Sequence, residues 1–333
     1  MTPAIFGLSG PALGPDERAF FRDADPAGFI LFGRNVVDGT QLRALTDELR
    51  ALSGRDVPIL VDQEGGPVAR LGPPEWPAFP AGPAFDRLYD LAPSSAIAAA
   101  RANGAALGAI LAEVGISVDC HPILDVGRAG TTFAVAPRVF GHEPMRVAAL
   151  GRATLEGLAQ AGVIGVIKHM PGHGRAAVDS HLVLPRVAAT DAELDADIAP
   201  FRTLAPRAVM GMTAHVVFDA WDAERPATLS PVVIADVIRG RIGFDGLLMT
   251  DDIDMKALSG TPGDKATAAL AAGCDVVLDC WARLPEMVDI ADRVPVMTEA
   301  ARARLDRAMT ARKAGTVDMA EQIAIRDALL ALA

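Results

Sequence analysis

Between residues 168 and 181 the chain reads KHMPGHGRAAVDSH. This stretch holds one lysine, one aspartate and three of the chain's six histidines. Its spacing offers three chemistries. His169 and His173 stand four apart, the interval at which two imidazoles on one helix face share a metal. Against that reading, Pro171, Gly172 and Gly174 oppose a helix, and the glutamate of such motifs is missing. Asp179 and His181 stand two apart. In extended backbone, residues i and i+2 project to the same side. A carboxylate there can hold one ring nitrogen and leave the other free to move a proton. The third reading is a loop stiffened by proline and glycine. It accounts for Pro171, Gly172 and Gly174 but not for a lysine and three histidines beside them.

Whatever the loop does, regular elements must hold it. Short apolar runs recur at 4–8, 28–32, 58–62, 116–120, 165–169, 208–213, 246–250 and 275–279. They are continuous rather than alternating, as in parallel strands buried on both faces. Helical stretches separate them, including 39–54, 94–115 and 145–162. Eight strands alternating with helices predict an α/β fold, a (β/α)8 barrel forming one domain over residues 1–333. A doubly wound open sheet is the alternative. The tail from about 299 to 333 reads as a charged amphipathic helix packed on the barrel. In a barrel of this kind chemistry gathers at the C-terminal strand ends. There the chain places Asp62-Gln63-Glu64, Lys168-His169, His215 and Asp251-Asp252.

Composition narrows the partners. A net charge of −11 offers no basic stripe for nucleic acid. Three scattered cysteines, Cys120, Cys274 and Cys280, suit neither a disulfide framework nor a four-thiolate zinc site. The N-terminal residues lack the pattern of a signal peptide, and no long uncharged apolar stretch predicts a membrane span. A soluble cytoplasmic protein is expected. Oligomeric state is not read from the sequence, and a monomer is the working expectation.

The whole stretch resembles the KHFPGHG-x4-DSH signature of family 3 glycoside hydrolases, in their NagZ-type β-N-acetylglucosaminidase branch. Further blocks look like that family and come in its order: GFILFGRN, VDQEGGPVARL, HPILDV, PRVFGHEP, MTAHVVF, RPATLSP and GFDGLLMTDDIDM. The resemblance implies a single-domain barrel that removes terminal β-linked N-acetylglucosamine with retention. It implies Asp251 as nucleophile, His181 as acid–base and Asp179 as the partner of that histidine. It assigns sugar binding to Asp62, Arg70, Arg138, Lys168 and His169. No metal or cofactor is implied. The implied substrate is a cytoplasmic peptidoglycan fragment, N-acetylglucosaminyl-1,6-anhydro-N-acetylmuramic acid with or without peptide.

These residue types suit the chemistry. A retaining glycosidase needs a carboxylate to form the glycosyl-enzyme and a proton donor for the leaving oxygen. An unperturbed histidine titrates near pH 6.5, so it can act first as acid and then as base. Other positions read more plainly. Asp252 is expected to cap the next helix, His173 to brace its own loop, and His215 to pack near the sugar. Arg128 is expected to be solvated, and Gly65-Gly66 to form a tight turn. Pro67, Gln63, Met170 and the stretch 129–140 depart from the family pattern. All but Met170 are expected to line the substrate approach. Three other functions stay open: a β-N-acetylglucosaminide phosphorylase, a non-catalytic sugar-binding protein and a metal-dependent hydrolase.

Overall fold

All eight apolar runs become parallel strands of one closed barrel. The computed structural model describes residues 1–313 and 315–333. Its strands are β1 (Thr2–Gly7), β2 (Pro26–Leu31), β3 (Ile59–Val61), β4 (Val118–Asp119), β5 (Ile164–Met170), β6 (Arg186–Val187), β7 (Met210–Thr213), β8 (Val217–Phe218), β9 (Asp222–Pro226), β10 (Leu247–Asp252) and β11 (Val276–Asp279). The barrel closes in the order β1-β11-β10-β7-β5-β4-β3-β2. The open-sheet alternative is thereby overturned. Short β6, β8 and β9 form a separate sheet. The sequence reading missed it.

The helices are α1 (Pro15–Ala24), α2 (Gly39–Ser53), α3 (Gly82–Leu91), α4 (Pro93–Glu113), α5 (Pro144–Gln160), α6 (Asp191–Leu204), α7 (Pro262–Ala272), α8 (Leu284–Arg293), α9 (Glu299–Ala311) and α10 (Met319–Leu330). A π-helical segment, Val233–Arg241, joins β9 to β10. Polar caps set several starts. Asp38 accepts from Gln41 N, and Thr190 and Thr261 form capping boxes with Glu193 and Asp264.

The strands are apolar on both faces because two cores need them. Ile5, Ile30, Leu60, Val118, Val166, Met210, Met249 and Leu278 pack in one core, inside the barrel. Alternate residues such as Phe6, Phe29, Val61, Ile167, Leu248 and Val277 join the other core, under the helices. Met297, Ala301, Leu305 and Ala308 belong to the inner core, so α9 and the residues leading into it plug the barrel's N-terminal mouth. The expected single tail helix is thus two. α9 closes the barrel, and α10 lies against α4.

Helix α4 is long and apolar enough to cross a membrane by length and composition alone. Its small residues serve packing instead. A Cβ at Gly157 on α5 would lie 2.2 Å from Arg101 O on α4, so the two helices approach backbone to backbone.

Candidate active site

The C-terminal end of the barrel opens into a cavity of about 230 Å³, a little below the usual range for drug-sized ligands. Asp62, Arg70, Arg138, Lys168, His169, His181 and Asp251 all line it. These are seven of the eight site residues expected from sequence. The eighth, Asp179, stands behind His181.

On the β3–β5 side the cavity wall is an ion-pair network. Lys168 is almost fully buried on β5, and its Nζ lies 3.0 Å from Asp62 Oδ1 and 2.6 Å from Glu64 Oε1. Arg138 grips Glu64 with two bonds, Nε to Oε2 at 2.9 Å and Nη2 to Oε1 at 2.6 Å. Arg70 Nη2 donates to Asp62 Oδ2 at 3.3 Å. Burial pushes the Glu64 carboxyl up, but the charges of Arg138 and Lys168 outweigh it and hold Glu64 well below the usual range. Burial alone would lower the Lys168 pKa, yet Asp62 and Glu64 raise it. The wall is therefore fully charged near neutral pH, with three cations to two anions.

Glu64 was quoted in sequence as a strand-end acid but given no role. Its signal was its place beside Gly65-Gly66. Both glycines have positive φ, +92° and +57°, and a Cβ on Gly65 would lie 2.5 Å from Pro80 O. That turn folds the chain back so that Glu64 reaches Lys168. Removing Glu64 leaves two cations short of a buried partner. Glu64→Ala is expected to cost about 3–5 kcal/mol of stability, measured by urea unfolding. A loss below about 1 kcal/mol would place the pair in the solvated class.

The histidines are held one by one. The Nδ1 of His169 lies 2.7 Å from Asp125 Oδ2, and Asp125 also accepts from His173 N at 2.6 Å. Asp125 is fully buried, and the sequence reading gave it no role although it quoted HPILDV. Burial raises its carboxyl, while the His169 imidazole against it and these hydrogen bonds bring it below the usual value. As a carboxylate it accepts from Nδ1–H, which fixes the His169 ring. The His173 ring lies 3.2 Å from Ser180 Oγ, and burial lowers its pKa to about 4. It is neutral at working pH and ties the two ends of its loop together. Residues 164–170 are strand, so His169 and His173 do not share a helix face. Among the described residues, no group of three or more His, Cys, Asp or Glu is arranged to hold a metal.

Asp179 and His181 meet as their spacing suggested. Asp179 Oδ1 accepts from His181 N at 2.9 Å and lies 2.7 Å from Nδ1. The carboxylate is mostly covered and the His181 side chain is 63% exposed, which leaves its Nε2 at the cavity mouth. Burial raises the Asp179 carboxyl, and the hydrogen bonds from His181 bring it lower.

The adjacent acids of β10 both border the cavity but divide in their partners. Asp251 lines the cavity, and its Oδ1 accepts from Asp252 N at 2.8 Å. Burial raises it, but the neighbouring His169 and His215 imidazoles and that hydrogen bond hold it below the usual value. Asp252 is pushed up to about 6 by burial and by the Asp251 charge beside it. Two neighbouring carboxyls with separated pKa values take separate roles: the first is a carboxylate, the second holds a proton longer. Asp252 Oδ1 accepts from Asp254 N and Cys280 N. It ties β10 to the chain after β11 and caps no helix, since α7 begins only at Pro262. That corrects the expected cap.

Fully buried His215 does not line the cavity. Its Nε2 lies 2.9 Å from Asp252 O and its Nδ1 2.7 Å from Thr228 Oγ1. A carbonyl can only accept, so Nε2 carries the proton and Nδ1 accepts from the threonine. His215 thereby fixes the backbone of the Asp251-Asp252 pair.

Two further expectations are corrected. Arg128 is not solvated. It pairs with Asp197 at 2.6 Å, which also takes Arg175, so the turn after β4 is tied to α6. Gln63 is fully buried and does not line the substrate approach. Its Nε2 donates to Leu71 O, and its Oε1 accepts from Arg70 N and Leu71 N. It shapes the 63–71 loop that presents Arg70.

Beneath the site, Asp279 ends β11 with both carboxyl oxygens buried and unpartnered. Burial and the charge of Asp252 push it up to about 7. The unfolded chain loses this proton near pH 4 while the native chain keeps it. Native protein binds more protons between about pH 4 and 7, so the group subtracts stability as pH rises through that window. Asp279→Asn is expected to raise Tm more at pH 8 than at pH 5. An equal change at both pH values would contradict the buried protonated carboxyl.

Comparison with known proteins follows the same lines. Residues 13–311 match the model of the glycosyl hydrolase family 3 N terminal domain. A beta-hexosaminidase of Alkalilimnicola ehrlichii is 40% identical over 282 residues, covering 84% of this chain and 80% of the relative. One from Aromatoleum aromaticum is 38% identical over 314 residues, covering 91% and 86%. The crystal structure of NagZ from Neisseria gonorrhoeae in complex with N-trifluoroacetyl-D-glucosamine superposes with a TM-score of 0.87 at 31% identity, covering 99% of this chain and 96% of that one.

Proposed function

We propose, from the premise that this chain belongs to glycosyl hydrolase family 3 and is a β-N-acetylhexosaminidase, that it removes terminal β-linked N-acetylglucosamine from peptidoglycan fragments in the cytoplasm. The preferred substrate is N-acetylglucosaminyl-1,6-anhydro-N-acetylmuramic acid, with or without peptide. The reaction retains configuration. Asp251 attacks the anomeric carbon, while His181 gives its Nε2 proton to the leaving oxygen. Water then enters, His181 takes its proton as base, and the glycosyl–aspartate bond breaks. Asp179 holds the imidazole in one tautomer and stabilises its charged form.

The observation that carries this reading is the shared cavity. A carboxylate kept ionised and a histidine with a free ring nitrogen line one cavity with a sugar-sized polar wall. Lys168, Asp62, Arg70, Arg138 and His169 supply fixed donors and acceptors for the hydroxyl groups and the acetamido group. Binding of a single terminal sugar suits a cavity closed at the bottom by the barrel core. The three cysteines are all free, which agrees with a reducing compartment.

The test is chromophore release from an aryl β-N-acetylglucosaminide in metal-free buffer without phosphate. Turnover supports the hydrolase. Activity only after adding phosphate would make the protein a phosphorylase, and silence under both conditions would leave a binding protein. Competition between the muropeptide disaccharide and an uncharged chitin disaccharide tests the substrate. Equal kcat/KM for the two would remove the peptidoglycan preference.

A further inference from the structure

One wall of the cavity has no place in the chemistry just described. It comes from the ends of β2 and β11 and consists of Phe32, Arg34, Cys280 and Trp281. Trp281 is 58% exposed, although it lines the cavity. An indole left this open on a rim normally gains by being covered.

Its position is fixed from behind. Arg283 places its guanidinium carbon 5.8 Å from the indole centroid. Arg283 is itself anchored by Asp254 and by Glu286, the latter at 2.8 Å. Ala282, between them, takes the left-handed conformation at φ +58°, rare for a residue with a Cβ. The turn thus sets Trp281 and Arg283 one against the other. A ring held on one side by an anchored cation is preorganised to stack on the other, with little rotamer entropy left to lose.

Arg34 stands beside it. Its Nε donates to Leu8 O at 2.7 Å and its Nη2 to Cys280 O. It lies over the Phe32 ring at 4.8 Å. Among the described residues it forms no ion pair, unlike Arg70, which lies over the same Phe32 ring, and Arg138. A guanidinium held by carbonyls and an aromatic face keeps its charge for a ligand.

We infer that Trp281 and Arg34 form the aglycone subsite: the indole stacks the sugar ring beyond the scissile bond, and Arg34 takes a carboxylate carried by that ring. A muramic ring whose lactyl group is free of peptide has that chemistry; a plain N-acetylglucosamine, or a lactyl group amidated by a peptide, does not. This inference rests on the proposed hydrolysis and names what selects the substrate on the leaving-group side.

The test compares kcat/KM for three substrates: the muramic-acid disaccharide, the uncharged chitin disaccharide, and N-acetylglucosaminyl fluoride, which has no aglycone ring. Trp281→Ala is expected to lose about 10-fold on both disaccharides and stay within about 2-fold on the fluoride. Trp281→Phe is expected to recover most of that loss, because it restores an aromatic face. Arg34→Gln is expected to lose about 10-fold or more on the muramic disaccharide alone. Equal losses on all three substrates would make both side chains structural and overturn the subsite. Unchanged disaccharide kinetics in Trp281→Ala would overturn it as well. A wild-type protein inert toward the fluoride would instead overturn the parent reading, and the subsite with it.

Discussion

Asp251→Ala is expected to lower kcat by at least about 10³-fold on every β-N-acetylglucosaminide, whatever the leaving group. The side chain sits at the end of a central barrel strand, its backbone is fixed through His215 and Asp252, and its carboxylate stays ionised. No other acid can replace it. Asp252 is committed to two backbone amides and holds its proton to about pH 6. Asp62 and Glu64 are engaged by Lys168, Arg70 and Arg138. The variant loses one acceptor for Asp252 N–H, so thermal unfolding and inhibitor binding must accompany the kinetics. Near-wild-type binding with lost turnover is the expected pair. Added azide is expected to restore some turnover by attacking from the vacated side, giving the inverted glycosyl azide. Turnover retained within about 10-fold would remove Asp251 as nucleophile.

His181→Ala is expected to divide substrates by leaving group. General acid–base catalysis contributes roughly 10²–10⁴-fold. Sugar leaving groups need the proton, so the disaccharides are expected to lose most of that range. Activated aryl leaving groups depart without it, so the first step on them is expected to persist. The second step still needs a base, so a burst of phenol followed by slow turnover is expected. Asp179→Asn removes the charge that supports the imidazolium but keeps the shape, and a smaller loss with the same division is expected. If aryl and sugar substrates lost equal rate in His181→Ala, the histidine would not be the proton donor. The open position of His181 suits this role, since a 63% exposed ring at the cavity mouth can reach both the departing oxygen and the incoming water.

Much of this was legible in the chain because the physics was local. Strands buried on both faces must be apolar throughout, so β1, β5 and β10 stood out as runs. Asp179 and His181 were legible because two residues of one extended turn must meet. The strand ends gave Lys168 and Asp251 because charge at the end of an apolar run needs a partner. What stayed hidden was tertiary. Lys168 and Glu64 are far apart in sequence, and nothing local says that the Gly65-Gly66 turn brings them to 2.6 Å. Asp125 carries no local signal of its own, because His169 and His173 converge on it only in the fold. Gln63 and Arg128 were misplaced because polarity suggested exposure, whereas both are absorbed by backbone or ion-pair partners. The β6, β8 and β9 sheet escaped because two-residue strands carry no period, and β9 is a charged Asp222–Pro226 segment. The two-part tail escaped because α9 and α10 share composition and differ only in what they cover.

The most direct measurement is peptide mapping by mass spectrometry after reaction with a fluorinated N-acetylglucosaminyl fluoride that forms the glycosyl-enzyme quickly and releases it slowly. The account predicts one covalent sugar, attached to the peptide containing Asp251 and localised to that carboxylate by fragmentation. A labelled Asp252, or a turnover-competent enzyme that never carries a label, would contradict it.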